Sequence, residues 1–298
     1  MRKLPVIIDT DPGTDDAVAL FVAKTLDVNV HTIVSVCGNV NGSYTHKNVV
    51  DLNGFLSLDA NIIKGADKPL SGSGFTAEEV HGENGIGGVI LPEAKDNAGH
   101  ISQLYDTLIK LGKADIITLG PLTNIAYILR EHPEAKENIN SITVMGGGFE
   151  ISNIPNNAEF NFGCDPMAAQ IVLFSGIDIT IVPLDVTHKV YLTKEELEYI
   201  CGFEMDKTDN SVVGVMSEIM YYNYKTAIAK QDQGALIHDA TAVIQYLYPE
   251  LFDGVCGTVT VDGYGATTFK EGGNIKVVFN VKRDLVIEKL KFCFTKGH

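Results

Sequence analysis

The chain has 298 residues, 45% hydrophobic and 20% charged, a composition that supports a packed core and excludes a disordered or fibrous polypeptide. Lysine and arginine number 23 against 38 aspartates and glutamates, a formal net charge of −15. A surface that acidic repels phosphate backbones and anionic lipid, so neither nucleic acid nor a membrane surface is an expected partner.

In chain order, residues 1–5 contain no apolar signal core, and no apolar run nears the roughly 20 residues needed to span a bilayer. A cytoplasmic location is therefore expected. Residues 6–8 form a β-branched run ending in Asp9 and should be a buried strand. From Asp15 the chain is apolar nearly all round, as in a buried helix with acids at its N-terminus. A strand over 28–37, a turn at Gly38-Asn39 and a helix over 44–57 follow. The alternation continues with a strand at 62–63, a helix at 101–111, a strand at 115–119, a helix at 122–130 and a strand at 142–145. Next come a helix over 166–174, which Pro166 can open because the first helical position needs no N–H, and a strand over 177–182.

The last third changes character, with helices over 211–230 and 239–247, strands over 258–261 and 276–279, and a closing helix over 283–292. This order predicts an α/β fold: a doubly wound, mostly parallel sheet with helices on both faces and a helical excursion in the C-terminal third. No linker or charge block divides the chain, and residues 1–298 read as a single domain. The five cysteines (Cys37, Cys164, Cys201, Cys256 and Cys293) never form a C-x-x-C pair. That argues against a zinc site or a disulfide framework and fits a reducing compartment.

Polar and glycine-rich segments fall at the predicted carboxyl ends of the strands, where open α/β sheets bind ligands. Four aspartates, Asp9, Asp11, Asp15 and Asp16, lie within eight residues. A Pro12-Gly13 turn can bring Asp11 and the Asp15-Asp16 pair to a shared point. A helix N-terminus stabilises each carboxylate by only about 0.3–1 kcal/mol, too little to hold several together. A divalent cation would suffice, and an all-oxygen set selects Ca²⁺ or Mg²⁺; the alternative is acids capping the helix and facing water. Far along the chain, His238-Asp239 opens an apolar-faced helix, either as an acid/base unit with a further metal ligand or as a solvent-facing cap. The amide-rich stretch from Asn153 to Asn161 contains Glu159 and can grip vicinal hydroxyls or be a surface turn. The loop from His81 to Gly88 is a lid or an idle loop, and it lacks the lysine and spacing of a phosphate cradle.

Together these segments resemble the nucleoside hydrolase family, which cleaves the N-glycosidic bond of ribonucleosides. The resemblance rests on D-T-D-P-G-T-D-D-A at Asp9 to Ala17, G-N at Gly38-Asn39, H-G-E-N-G at His81 to Gly85 and G-P-L-T-N at Gly120 to Asn124. It continues through M-G-G-G at Met145 to Gly148, A-E-F-N at Ala158 to Asn161, D-V-T-H at Asp185 to His188 and H-D at His238-Asp239. It implies a Ca²⁺ ion held by Asp11, Asp16, Asp239 and the Leu119 carbonyl, with Asp11 as the base that activates water. It also implies ribose contacts from Asp15, Asn39, Asn153, Glu159, Asn161 and Asp239, base contacts from His81 and Phe160, and His238 as the acid for the leaving base. Tyr221, Tyr222 and Tyr224 lie where some relatives supply base contacts, and the sequence assigns none to them. The resemblance further implies a homodimer or homotetramer.

Two other readings compete. Asp9-Thr10-Asp11 after an apolar strand looks like the nucleophile and acid of a haloacid-dehalogenase-like phosphatase, although Gly13 stands where that family carries Thr or Val. A Ca²⁺-dependent nucleoside- or sugar-binding protein without turnover is the non-enzymatic alternative. Since no site motif contains lysine or arginine, the expected substrate is a neutral nucleoside rather than a nucleotide.

Overall fold

The computed structural model describes residues 4–71, 74–201 and 210–296; residues 1–3, ahead of the first strand, lie outside that set. The first half contains β1 (Val6–Thr10), α1 (Thr14–Thr25), β2 (Val30–Ser35), α2 (Gly42–Phe55), β3 (Asn61–Lys64), α3 (Glu78–His81) and β4 (Gly99–His100). It continues with α4 (Gln103–Leu111), β5 (Ala114–Thr118), α5 (Thr123–Glu131) and β6 (Ile139–Met145). Then come α6 (Phe160–Cys164), α7 (Pro166–Leu173), β7 (Ile179–Val182), α8 (Leu184–Thr187), β8 (Tyr191–Leu192), α9 (Lys194–Cys201), α10 (Val212–Ala229) and β9 (Ala235–Leu236). The chain closes with α11 (Asp239–Leu247), β10 (Phe252–Val261), β11 (Thr267–Glu271), β12 (Ile275–Val281) and α12 (Arg283–Lys296).

Among the described residues the main sheet has ten strands, in the order β11-β10-β12-β7-β6-β5-β1-β2-β3-β4. From β12 to β4 neighbouring strands run parallel, and β10 pairs antiparallel with both β11 and β12. The α/β reading of the sequence is therefore correct. Every residue of β1 and β5 is buried, as strands covered on both faces require. Alternation on β1 divides the two cores. Val6 and Ile8 pack with Phe21 of α1, Met216 of α10 and Val243 of α11, whereas Ile7 packs with Leu104 of α4, Ile125 of α5 and Val172 of α7.

Strand order reverses between β1 and β5: β2, β3 and β4 add on one side, β6 and β7 on the other. A crevice opens beyond the carboxyl ends of strands at such a switch point. Asp9 pairs with Thr118 across it, so the Asp11–Gly13 turn and Leu119-Gly120 emerge side by side.

The structure corrects several boundaries. The second strand spans Val30–Ser35 rather than 28–37, and the strand expected at 258–261 begins at Phe252. The excursion is also interrupted: α9, α10 and α11 form it, and β10–β12 then return to extend the main sheet. β11 escaped the sequence reading because it is an edge strand whose last residues, Lys270 and Glu271, are exposed and charged, so hydrophobic alternation is weak.

Candidate active site

A cavity of about 330 Å³ opens at the switch point, lined by Asp15, Asn39, His81, Leu119, Asn153, Glu159, Phe160, Asn161, His238 and Asp239. Asp11 and Asp16 lie wholly buried behind it. Segments separated by more than 200 residues meet here because α11 packs along α1, bringing Asp239 at the start of one helix to Asp15 and Asp16 at the start of the other.

Asp16 accepts from three donors, Thr10 Oγ1 at 2.5 Å, the Gly13 N–H at 2.8 Å and the Asn39 side-chain amide at 3.0 Å, which leaves acceptor capacity for a further partner. Asp11 accepts from the Asn39 N–H at 2.8 Å through Oδ2. Its carboxylate lies between Gly38 and Gly120, where a Cβ on either glycine would collide with it; close approach, not flexibility, demands glycine at both positions. Carboxylate oxygens of Asp15, Asp16 and Asp239 fall within 4.8 Å of one another. This differs from the ligand set implied by the resemblance, since Asp15 joins the cluster and Asp11 stands outside that mutual distance.

Burial pushes all four carboxyl groups above the usual aspartate range, Asp15 to about 6, and repulsion from neighbouring aspartates pushes Asp11, Asp16 and Asp239 in the same direction. Two buried oxygens, Asp11 Oδ1 and Asp15 Oδ1, have no hydrogen-bond partner among the described residues. Crowded, partly unpartnered carboxylates with no nitrogen or sulfur donor among them fit a hard divalent cation. The Leu119 carbonyl, at the end of β5, already accepts from the Asn161 side-chain amide at 2.7 Å, which leaves one of its two lone pairs for another partner.

The remaining wall is pre-organised by short bonds. Glu159 caps α6, accepting from the N–H groups of Asn161 at 2.8 Å and Phe162 at 3.0 Å, and also from Gly147 at 2.9 Å. Asn153 Oδ1 accepts from the Phe160 N–H at 2.9 Å, and the Phe160 ring meets Phe75 edge-on with centroids 5.3 Å apart. His81 Nδ1 accepts from the Thr14 N–H at 3.1 Å, so a neutral ring carries its proton on Nε2. Burial lowers His81 to about 4 and His238 to about 3. His238 Nδ1 lies 2.8 Å from Thr187 Oγ1.

Several cavity residues were not foreseen. α10 contributes Asn223, Thr226 and Ala227, and Lys230 follows at its end, an i, i+3, i+4, i+7 stripe hidden in sequence by the conspicuous tyrosines. None of those tyrosines lines the cavity: Tyr221 stacks on Tyr224 with centroids 6.2 Å apart, and Tyr222 packs against Gly87. Lys230, Glu79 and Asp232 bring charge to the cavity, so it is not free of lysine as the motifs suggested. His188 is also exposed to the cavity, and its signal was the otherwise unused D-V-T-H motif. The loop after His81 is braced internally, with Asn84 donating to the Val89 carbonyl and accepting from the Ile86 and Gly88 N–H groups.

The phosphatase reading fails on Asp9. The nucleophile it requires is fully buried, accepts from the Asn124 side-chain amide at 2.8 Å and does not line the cavity.

A sequence model of the "Inosine-uridine preferring nucleoside hydrolase" family matches residues 6–288. The pyrimidine-specific ribonucleoside hydrolase RihA of Escherichia coli K12 is 34% identical over 97% of this chain and 99% of its own. Among solved structures, the plant nucleoside hydrolase PpNRh1 superposes with a TM-score of 0.89 at 28% identity, covering 98% of this chain and 99% of that one. A purine-preferring ribonucleoside hydrolase from Gardnerella vaginalis gives a TM-score of 0.87 at 25% identity, with 98% of both chains covered. The fold and site thus define a nucleoside N-ribohydrolase. The chain belongs to the inosine-uridine preferring nucleoside hydrolase family, and its reaction is hydrolysis of the N-glycosidic bond of ribonucleosides.

Proposed function

We propose that the enzyme is calcium-dependent, that Asp11 is the base for the attacking water, and that His238 is the acid for the departing nucleobase. The observation that carries this reading is the group of buried carboxylates behind the cavity with His238 in the same wall. Asp11, Asp16, Asp239 and the Leu119 carbonyl would hold the ion, with Asp15 close enough to share it. When bound, the cation offsets part of the local negative charge and makes neighbouring water more acidic.

The protein groups supply the rest. Cleavage of the C1′–N bond passes through an oxocarbenium-like ribose, which the carboxylates stabilise as positive charge develops. Asp11, whose carboxyl group burial makes a stronger base, takes the proton from water. Asp15, Asn39, Asn153, Glu159, Asn161 and Asp239 orient the ribose, fixing the anomeric carbon over the nucleophile. His81 and Phe160 flank the base. The relatives divide over that base, one described as pyrimidine-specific and another as purine-preferring.

Free ribose released from a panel of inosine, adenosine, uridine and cytidine, with Ca²⁺ present and after chelation, tests the reading. Turnover that survives complete chelation overturns the calcium requirement. Asp11→Ala retaining activity within about threefold of the parent, about 0.7 kcal/mol, overturns the base assignment.

A further inference from the structure

α8 is a single turn leaving the carboxyl end of β7, and its last residue, Thr187, is wholly buried. Asp185, two residues earlier, ties this turn to the loop after β6 by accepting from the N–H groups of Phe149 at 2.8 Å and Glu150 at 2.7 Å. Thr187 Oγ1 then reaches His238 Nδ1 at 2.8 Å, and the next residue, His188, places its ring 5.4 Å from that of His238 at an angle of 48°. Two consecutive residues on a braced turn therefore hold one imidazole. With Nδ1 engaged and His238 lining the cavity, Nε2 is the nitrogen presented to a ligand.

A hydroxyl can both donate and accept, which a backbone N–H or carbonyl cannot. Thr187 can donate to Nδ1 of a neutral ring or accept from Nδ1–H of an imidazolium, and in either state Nε2 carries hydrogen. We propose that Thr187 is the positioning residue for His238, holding the imidazole so that its Nε2–H faces the departing base. This rests on the proposed role of His238 as leaving-group acid. In that step the C1′–N bond breaks with its electron pair going to the base nitrogen, which takes the Nε2 proton of the imidazolium, the minor form of this buried ring and for that reason a strong acid. The water oxygen bonds to C1′ and its proton passes to Asp11, while Nδ1–H stays on Thr187 Oγ1. Solvent then returns a proton to the imidazole and removes one from the carboxyl group, so the net change is addition of water across the C–N bond.

Substrates differing in their need for an acid test the proposal. A nucleobase leaves poorly without a proton, whereas the nitrophenolate of 4-nitrophenyl β-D-riboside leaves unaided. Thr187→Val and Thr187→Ala should lower kcat on a nucleoside the wild type turns over by about 10- to 100-fold with little change in KM, and stay within about threefold on the nitrophenyl riboside. Thr187→Ser should recover most of the nucleoside activity. Equal loss on both substrates in both variants, loss on neither, or no rescue by serine overturns the role of Thr187. His238→Ala separates the two ideas: selective loss on the nucleoside supports the acid assignment, and equal loss on both substrates, or no loss, overturns that assignment and the Thr187 role with it. Selective loss in His238→Ala without it in the Thr187 variants overturns the positioning role alone.

Discussion

The backbone N–H of Asn39 donates to Oδ2 of Asp11 at 2.8 Å, while its side-chain amide donates to the Asp11 carbonyl at 3.2 Å and to Asp16 Oδ2 at 3.0 Å. A residue assigned to the ribose thus already organises two carboxylates. Asn39→Ala should lower kcat/KM about 30- to 100-fold, because Asp16 loses a buried donor. Asn39→Asp should be worse, since it sets a fifth carboxylate against Asp16 in place of a donor. Steady-state kinetics with thermal melting check both; an aspartate variant as active as the parent would show that the amide has no such task.

The carboxylate cluster predicts opposite effects of neutralisation with and without a cation. Without one, burial and mutual repulsion oppose ionisation of Asp239, so Asp239→Asn should leave the melting temperature unchanged or raise it, whereas Asp16→Asn turns its NH₂ toward a donor and should lower it. With Ca²⁺ at 100 times its Kd, the parent should gain about 2.7 kcal/mol, roughly 5 °C or more. Each variant should lose most of that gain. Melting curves in chelator and in graded Ca²⁺ test this, and an equal calcium shift in parent and variants contradicts it.

The sequence revealed the alternation of β1, α1 and β2 and the gathering of loops at one sheet edge because those signals are local: β-branched runs, an all-round apolar helix, glycine at strand ends. Asp9 was legible as an acid in a cluster but not as a buried group under Asn124, since that contact spans 115 residues. The α10 stripe from Asn223 to Lys230 was missed for a related reason. A helix of mixed small, polar and aromatic residues reveals which face meets the cavity only when α1 and α3 are placed beside it. Thr187 illustrates the same limit, as nothing local marks it as a partner for His238.

Substrate charge should matter strongly. The cavity adjoins Asp11, Asp15, Asp16, Glu159 and Asp239, and the lysine that lines it, Lys230, is accompanied by Glu79 and Asp232. A 5′-phosphate entering that field is repelled, so kcat/KM for a 5′-nucleotide should fall at least about 100-fold below that of its nucleoside. Comparable rates for uridine and its 5′-monophosphate, or inosine and its own, would contradict this.

Asp165 predicts a stability effect outside the catalytic groups. Its carboxylate caps α7 through the Ala168 N–H at 3.2 Å and accepts from the N–H of Leu70 at 2.6 Å, Ser71 N–H at 3.2 Å and Oγ at 3.1 Å, and Thr123 Oγ1 at 2.8 Å. Asp165→Ala strands several donors and should cost about 3 kcal/mol or more. Asp165→Asn should also destabilise, because its NH₂ must face donors. Urea unfolding measures both, and a loss below about 1 kcal/mol in the alanine variant refutes the capping argument.

The last helix is held by a pair whose contribution depends on pH. Arg283 Nη1 and Nη2 donate to the two oxygens of Glu196 at 2.9 and 2.7 Å, and its guanidinium lies 4.8 Å from the Tyr191 ring centroid. The hydrogen bonds from Arg283 hold the Glu196 carboxyl group below its ordinary value of 4.5. Between that lowered value and 4.5 the unfolded chain binds more protons than the folded one, so stability from this pair rises with pH. It is fully present above 4.5 and lost as pH falls through the folded value. Both side chains are partly exposed, 25% and 31%, which limits the effect to about 1 kcal/mol. Arg283→Met should therefore be less stable than the parent at pH 7, with the gap narrowing as urea melts are taken below pH 4. A gap that is unchanged at low pH would mean that Arg283 acts through Tyr191, its ring and the carbonyl to which Nη2 donates at 2.5 Å, and not through its pairing with Glu196.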